Sequence, residues 1–141
     1  MKRASNFYKI IIDSNIWISF LIGKNLQGLQ YYIDSKKIQL ITCNEQIVEL
    51  NAVFKKPKLA KYFSKKQVSV FFDLLEESSE FITLTTKSDL CRDPKDNYLV
   101  SLAIDSKADY LITSNKDLIE LDKIGITSVI SFADFDSIIK I

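Results

Sequence analysis

Five short runs rich in β-branched residues, separated by stretches whose apolar positions recur every three or four residues, set the pattern of this chain. Tyr8–Ile12 is such a run and stops at Asp13, which predicts a strand, and Ile16–Ile22 then reads as a buried helix ending at Gly23. Residues 26–35 are expected to form a second helix and Ile38–Thr42 the second strand. Thr42 and Glu45 have the Thr-x-x-Glu spacing of a capping box, which predicts a helix running to about Phe54, with Pro57 breaking the pattern. Beyond Ser64, an amphipathic helix is marked by Val68, Phe71, Phe72 and Leu75, and Glu80–Leu84 is expected as the third strand, followed by a polar loop from Thr85 to Arg92. Asp93 stands as an N-cap before Pro94, and the helix they open carries Leu99, Val100, Leu102, Ala103 and Ile104. Tyr110–Thr113 and Thr127–Ile130 are the fourth and fifth strands, with a short helix from about Lys116 to Leu121 between them and a last helix starting at the Ser131 cap.

Strands alternating with helices predict an α/β fold whose mostly parallel sheet is covered on both faces, because crossover helices lie there. No Gly/Ser-rich linker or repeat interrupts residues 1–141, so one domain is expected. In such sheets ligands bind where the carboxyl ends of the strands share an edge, so the residues that follow each strand are the first to inspect.

Composition narrows the chemistry through a zero. With no His, the chain builds no Ser-His-Asp triad, no Cys-His pair and no imidazole-ligated zinc site. Cys43 and Cys91 lack the spacing of a metal knuckle or redox pair and fit a reducing compartment as packing residues, so a cytoplasmic protein is expected. No apolar run approaches the roughly 18 residues of a membrane span, and the N-terminal run is too short for a signal segment, so no membrane partner is expected. The net charge of +1 offers no bulk attraction to polyanions, which a local patch must therefore hold.

Acidic groups follow several strands: Asp13 after the first, Glu45 and Glu49 after the second, Asp93 and Asp96 after the third, and Asn115 with Asp117 after the fourth. The capping box occupies Glu45 and the N-cap role occupies Asp93, which leaves Glu49 and Asp96 without a local task, each placed beside apolar helix positions. Clustered carboxylates repel one another unless a cation neutralises them, so this edge predicts a hard metal, Mg²⁺ or Mn²⁺. Carboxylate-held Mg²⁺ supports phosphodiester hydrolysis without His, by acidifying a bound water and neutralising phosphoryl oxygens.

The strand followed by Asp13-Ser14-Asn15, the helix bearing Ile47-Val48-Glu49-Leu50 with Lys56-Pro57-Lys58-Leu59 after it, Arg92-Asp93-Pro94-Lys95-Asp96-Asn97, and Ala108 to Thr113 leading to Asn115-Lys116-Asp117-Leu118 follow in an order and spacing that resembles the PIN-domain nucleases. Within them the chain is similar to the short prokaryotic toxin components of toxin-antitoxin pairs. The resemblance implies a three-layer α/β/α sandwich with a central, mostly parallel, about five-stranded sheet, spanning 1–141 as a single PIN-like domain. It implies metal-dependent endonucleolytic cleavage of single-stranded RNA, an antitoxin protein as partner, and a homodimer. Asp13, Glu49 and Asp96 fall on the family's acidic positions. The fourth departs: Asn115 stands where this subgroup usually has Asp, with Asp117 two residues later. The expected catalytic set is Asp13, Glu49, Asp96 and Asp117, with Asp13, Asp96, Asp117 and Asn115 as metal ligands. Ser14, Asn15, Thr113 and Ser114 are expected to support Asp13 or a metal-bound water, although each also suits a turn or cap.

Six lysines and no acid lie between Lys55 and Lys66, interleaved with Tyr62 and Phe63, so Lys55, Lys56 and Lys58 are expected to track RNA phosphates. Trp17 is expected in the core or a dimer interface. Asn15 stands where an Asp-nucleophile phosphatase needs a second Asp, and the third strand offers no receiver-type phosphoacceptor. The remaining alternative is a catalytically weak or inactive PIN fold that binds RNA or a partner, and Asn115 is the residue that favours it.

Overall fold

The computed structural model describes residues 7–23 and 27–140. The expected helix over 26–35 therefore starts, within the described residues, at Gln27. Ile10, Ile11 and Ile12 in β1 (Tyr8–Ile12) are all at most 1% exposed, although successive side chains of a strand point to opposite faces. The sheet is covered on both sides. Ile10, Ile12, Leu40 and Ile112 pack on one face under α1 (Ser14–Ile22), α2 (Gln27–Asp34), α5 (Lys65–Ser78) and α8 (Phe132–Ile139), around Trp17, Leu29, Leu75 and Phe135. Ile11, Ile41, Leu111 and Val129 pack on the other face under α6 (Asn97–Ser106), through Leu99, Val100, Leu102 and Ala103. Three layers result, as the resemblance implies, and Trp17 belongs to the core, against Phe20 and Phe71.

The sheet runs β3-β2-β1-β4-β6-β5, with β2 (Ile38–Thr42), β3 (Ser79–Phe81), β4 (Tyr110–Ile112), β5 (Lys123–Ile124) and β6 (Thr127–Ile130). Pairings β1 with β2, β1 with β4, β2 with β3 and β4 with β6 are parallel. It has six strands where about five are expected, because Lys123 and Ile124 fold back antiparallel onto β6.

Helix boundaries follow local chemistry. Asp13 caps α1, and Gly23 ends it at φ 112, a left-handed conformation that costs a Cβ-free residue little. Ser64 and Gln67 form a reciprocal capping box on α5. The box expected at Thr42 and Glu45 is absent. Thr42 is the last residue of β2 and turns its hydroxyl into the interior, so α3 (Asn44–Phe54) begins after Cys43 with no side-chain cap. Pro57 does not merely break the chain but opens α4 (Pro57–Ala60) from the first helical turn.

The third strand stops at Phe81 rather than Leu84. Ile82 and Leu84 still alternate inward and pack on the α6 side of the sheet, but β2 ends at Thr42, whose carbonyl takes the Ile82 N–H at 3.0 Å. Thr85 and Thr86 instead donate to the Asp105 carboxylate through their backbone N–H groups and hydroxyls, holding residues 82–92 as a strap over α6.

Candidate active site

Strand order reverses between β1 and β4, so their carboxyl ends open a crevice at the sheet's edge. Asp13 follows β1 directly, and its N–H donates to the Ile112 carbonyl at 2.9 Å. Its side chain is 5% exposed; Oδ1 accepts from the Asn15 N–H at 3.3 Å and Oδ2 from the Thr113 hydroxyl at 2.6 Å. Burial raises the Asp13 pKa, the Thr113 and Asn15 bonds oppose that rise, and the nearby Glu49 charge adds to it.

Glu49 reaches the same edge from α3. Gln46, one turn earlier on that face, is fully buried; it donates to the Ile12 carbonyl at 2.6 Å and accepts from the Thr42 hydroxyl at 2.6 Å, which pins α3 to the end of β1. Glu49 Oε1 accepts two short hydrogen bonds, from the Ser14 hydroxyl at 2.6 Å and the Tyr98 hydroxyl at 2.6 Å. Burial, followed by the Glu49 bond, pushes the Tyr98 phenol far above its ordinary range, so it acts as a donor.

Asp96 arrives from the far side of the crevice. Asp93 accepts from the Lys95 N–H at 3.0 Å and caps a single 3₁₀ turn, Pro94–Asp96, which leaves Asp96 at the N-cap position of α6. Burial raises the Asp96 pKa, and the charges of Asp13, Asp93 and Glu49 raise it further, while a bond from Asn115 opposes them. Asn115 Nδ2 donates to Asp96 Oδ2 at 3.0 Å, and Asn115 Oδ1 accepts from the Asp117 N–H at 2.9 Å, capping α7 (Lys116–Ile119).

Three of the expected acids, Asp13, Glu49 and Asp96, thus converge within electrostatic reach of one another. Asp117 is not among the charges that act on Asp13 or Asp96, and its carboxylate lies 3.8 Å from the Arg92 guanidinium. The Ser14 hydroxyl serves Glu49 while its backbone N–H supports Asp13, Thr113 serves Asp13 through its hydroxyl, Asn15 contributes its backbone N–H, and Ser114 is exposed. Lys55, Lys56 and Lys58 are exposed around the C-terminal end of α3, beyond Glu49 on that helix. Cys43 is buried as expected, whereas Cys91 is only half-buried and lies near the charges of Asp96, Asp117 and Asp93. The sequence pattern does not single out Tyr98 or Gln46. Gln46 has a signal, its three-residue spacing from Glu49; Tyr98, in the first turn of an apolar helix, carries none.

Among the described residues no three Asp, Glu or Cys side chains form a ready metal shell. Hydroxyl and amide donors hold the carboxylates instead. The donors present are hard oxygens, and the charges that raise one another's pKa are those a divalent cation relieves, so their chemistry suits a hard divalent cation.

The PIN domain family profile matches residues 9–117, and the chain belongs to that family. An uncharacterized protein of Methanocaldococcus jannaschii is 34% identical over 116 residues, covering 80% of this chain and 74% of that protein. No solved structure gives a significant match. PIN domains are typically nucleases that use divalent metals, so a nucleic-acid phosphodiester is the class of substrate to which the family points. Among the described residues no helix is long and apolar enough to cross a membrane.

Proposed function

We propose that the protein is a metal-dependent endoribonuclease that cleaves single-stranded RNA. The observation that carries this reading is the convergence of Asp13, Glu49 and Asp96 at the strand-order reversal, where Asp13 and Asp96 are both raised in pKa by burial and neighbouring acids. Asp13 and Asp96 would hold Mg²⁺ or Mn²⁺, with Glu49 as ligand or through water; when bound, the ion supplies an acidified water and neutralises phosphoryl charge. Thr113 fixes one oxygen of Asp13, Ser14 and Tyr98 fix one oxygen of Glu49, and Asn115 fixes one oxygen of Asp96. Each acid keeps its orientation before substrate arrives, which is the positioning that in-line attack requires. Asp117, beside Arg92, lies at the rim and would balance the cations that meet the RNA.

The test is cleavage of a mixed single-stranded RNA with Mn²⁺, Mg²⁺ or EDTA, alongside Asp13→Asn and Asp96→Asn. Metal-dependent cutting that both substitutions abolish in folded protein supports the proposal; parent-rate cutting by both variants sinks it. The toxin role, with an antitoxin protein as restraint and a homodimer as the working form, is supported by the resemblance, and growth arrest on induction that Asp96→Asn relieves tests it. Asn115 favours one alternative, a PIN fold that binds RNA without cutting. Tight RNA binding with no cleavage under any metal would select it.

A further inference from the structure

Resting on the metal-centre reading above, we infer that Asn115 is not a ligand of the ion but a positioning residue that assembles the carboxylates before the ion arrives. A carboxamide accepts only through its oxygen and donates only through its nitrogen, and here the two atoms face opposite partners. Nδ2 donates to Asp96 Oδ2 at 3.0 Å, and Oδ1 accepts from the Asp117 N–H at 2.9 Å as the cap of α7. Turning the amide over to offer its oxygen to an ion at Asp96 would set two oxygens against each other across that hydrogen bond. It would also aim the NH₂ at the N–H it now receives, so both bonds would break together.

The backbone holds this orientation as well. The Asn115 N–H donates to Thr113 Oγ1 at 3.0 Å, and the same hydroxyl donates to Asp13 Oδ2 at 2.6 Å. One residue thus ties Asp96, at the start of α6, to Asp13, just past the end of β1, through its amide on one side and its main chain on the other. Asp117 is not among the charges that act on Asp13 or Asp96, and its carboxylate lies 3.8 Å from Arg92. The centre is then a set of three acids, Asp13, Glu49 and Asp96, steadied by a neutral donor where a fourth carboxylate would repel Asp96.

Two substitutions separate the donor from the cap, since Ser and Asp both cap helices well but neither offers an NH₂ to Asp96. In EDTA-stripped full-length protein, Asn115→Ser is expected to bind Mn²⁺ about tenfold more weakly by calorimetry yet still bind it, as for loss of a partner that orients a ligand. Asn115→Asp is expected to melt at lower temperature without metal and to bind Mn²⁺ more tightly than the parent. In the parent, the side-chain NH₂ resonances of Asn115 should keep their hydrogen-bonded shifts as diamagnetic Mg²⁺ saturates the site. Loss of those shifts on Mg²⁺ saturation would overturn the inference, as would an Asn115→Ser variant as unable to take up Mn²⁺ as Asp96→Asn. A parent protein that takes up no Mn²⁺ at all would instead overturn the metal reading beneath it.

Discussion

Thr113 gives its hydroxyl hydrogen to Asp13 Oδ2 across 2.6 Å, joining the ends of two neighbouring parallel strands that lie one hundred residues apart in the chain. The bond opposes the pKa rise that burial imposes on Asp13, and the Thr113 hydroxyl oxygen also receives the Asn115 N–H. Thr113→Val keeps the shape and strips both bonds. It should cost about 1–3 kcal/mol, because a buried acceptor is left without its donor, and weaken Mn²⁺ uptake by raising Asp13 further. Thr113→Ser, which keeps the hydroxyl, should stay near the parent. Urea unfolding and calorimetric Mn²⁺ titration of the pair check this.

Tyr98 and Ser14 share one oxygen of Glu49, so removing the phenol hydroxyl leaves the carboxylate held from one side. Tyr98→Phe preserves the ring and should cost about 1 kcal/mol in stability. If Glu49 must be held in one orientation for the reaction, kcat should fall with little change in KM, as for an interaction that acts on the reacting groups rather than on binding. An unchanged kcat would make Tyr98 a packing residue.

The strands were legible because a parallel sheet buried on both faces needs unbroken apolar runs, and Ile10–Ile12 supplies one. Asp13, Glu49 and Asp96 were legible as a converging set because the topology brings strand ends to one edge. Local spacing was a poorer guide. Thr42 and Glu45 match a capping box, yet Thr42 is still in the sheet and bonds Gln46. Ile82 and Leu84 alternate like a strand, but the neighbouring strand ends at Thr42, which takes the Ile82 N–H. Which way the Asn115 amide faces, and that Tyr98 reaches Glu49, depend on side chains brought together across 19 and 49 residues, which no local pattern encodes.

Asp105 predicts an acid-sensitive strap. The Thr86 hydroxyl, with further bonds from the Thr86 and Thr85 N–H groups, holds its carboxyl down to about 2 despite some burial. A depressed folded pKa gives stability that is present above the ordinary value of 3.8 and is lost as pH falls toward about 2. Between those values the Thr85 and Thr86 amide resonances should shift toward free positions while the core resonances hold. Asp105→Asn should show the free positions already at neutral pH. Asp13 and Asp96 carry the opposite sign: their raised values mean that, without metal, ionising them above 3.8 works against folding. Asp13→Asn should therefore stabilise the metal-free protein at neutral pH.

The route of RNA over the surface separates two sets of cations. Lys55, Lys56 and Lys58 cluster where α3 ends, six to nine residues beyond Glu49, whereas Arg92 lies four residues before Asp96 and stands 3.8 Å from Asp117. Both sets are exposed, so each is free to meet phosphate. Neutralising the three lysines together should weaken single-stranded RNA binding and flatten its salt dependence by about 0.7 in log–log slope for each phosphate no longer neutralised, with kcat unchanged. Arg92→Ala should raise KM, because its guanidinium stands beside Asp117 and four residues before Asp96. Binding measured across a salt series, with Ca²⁺ replacing Mg²⁺ to suppress cleavage, tells them apart. A triple lysine variant with the parent's slope would remove that cluster from the RNA path and leave the rim around Arg92 as its entrance.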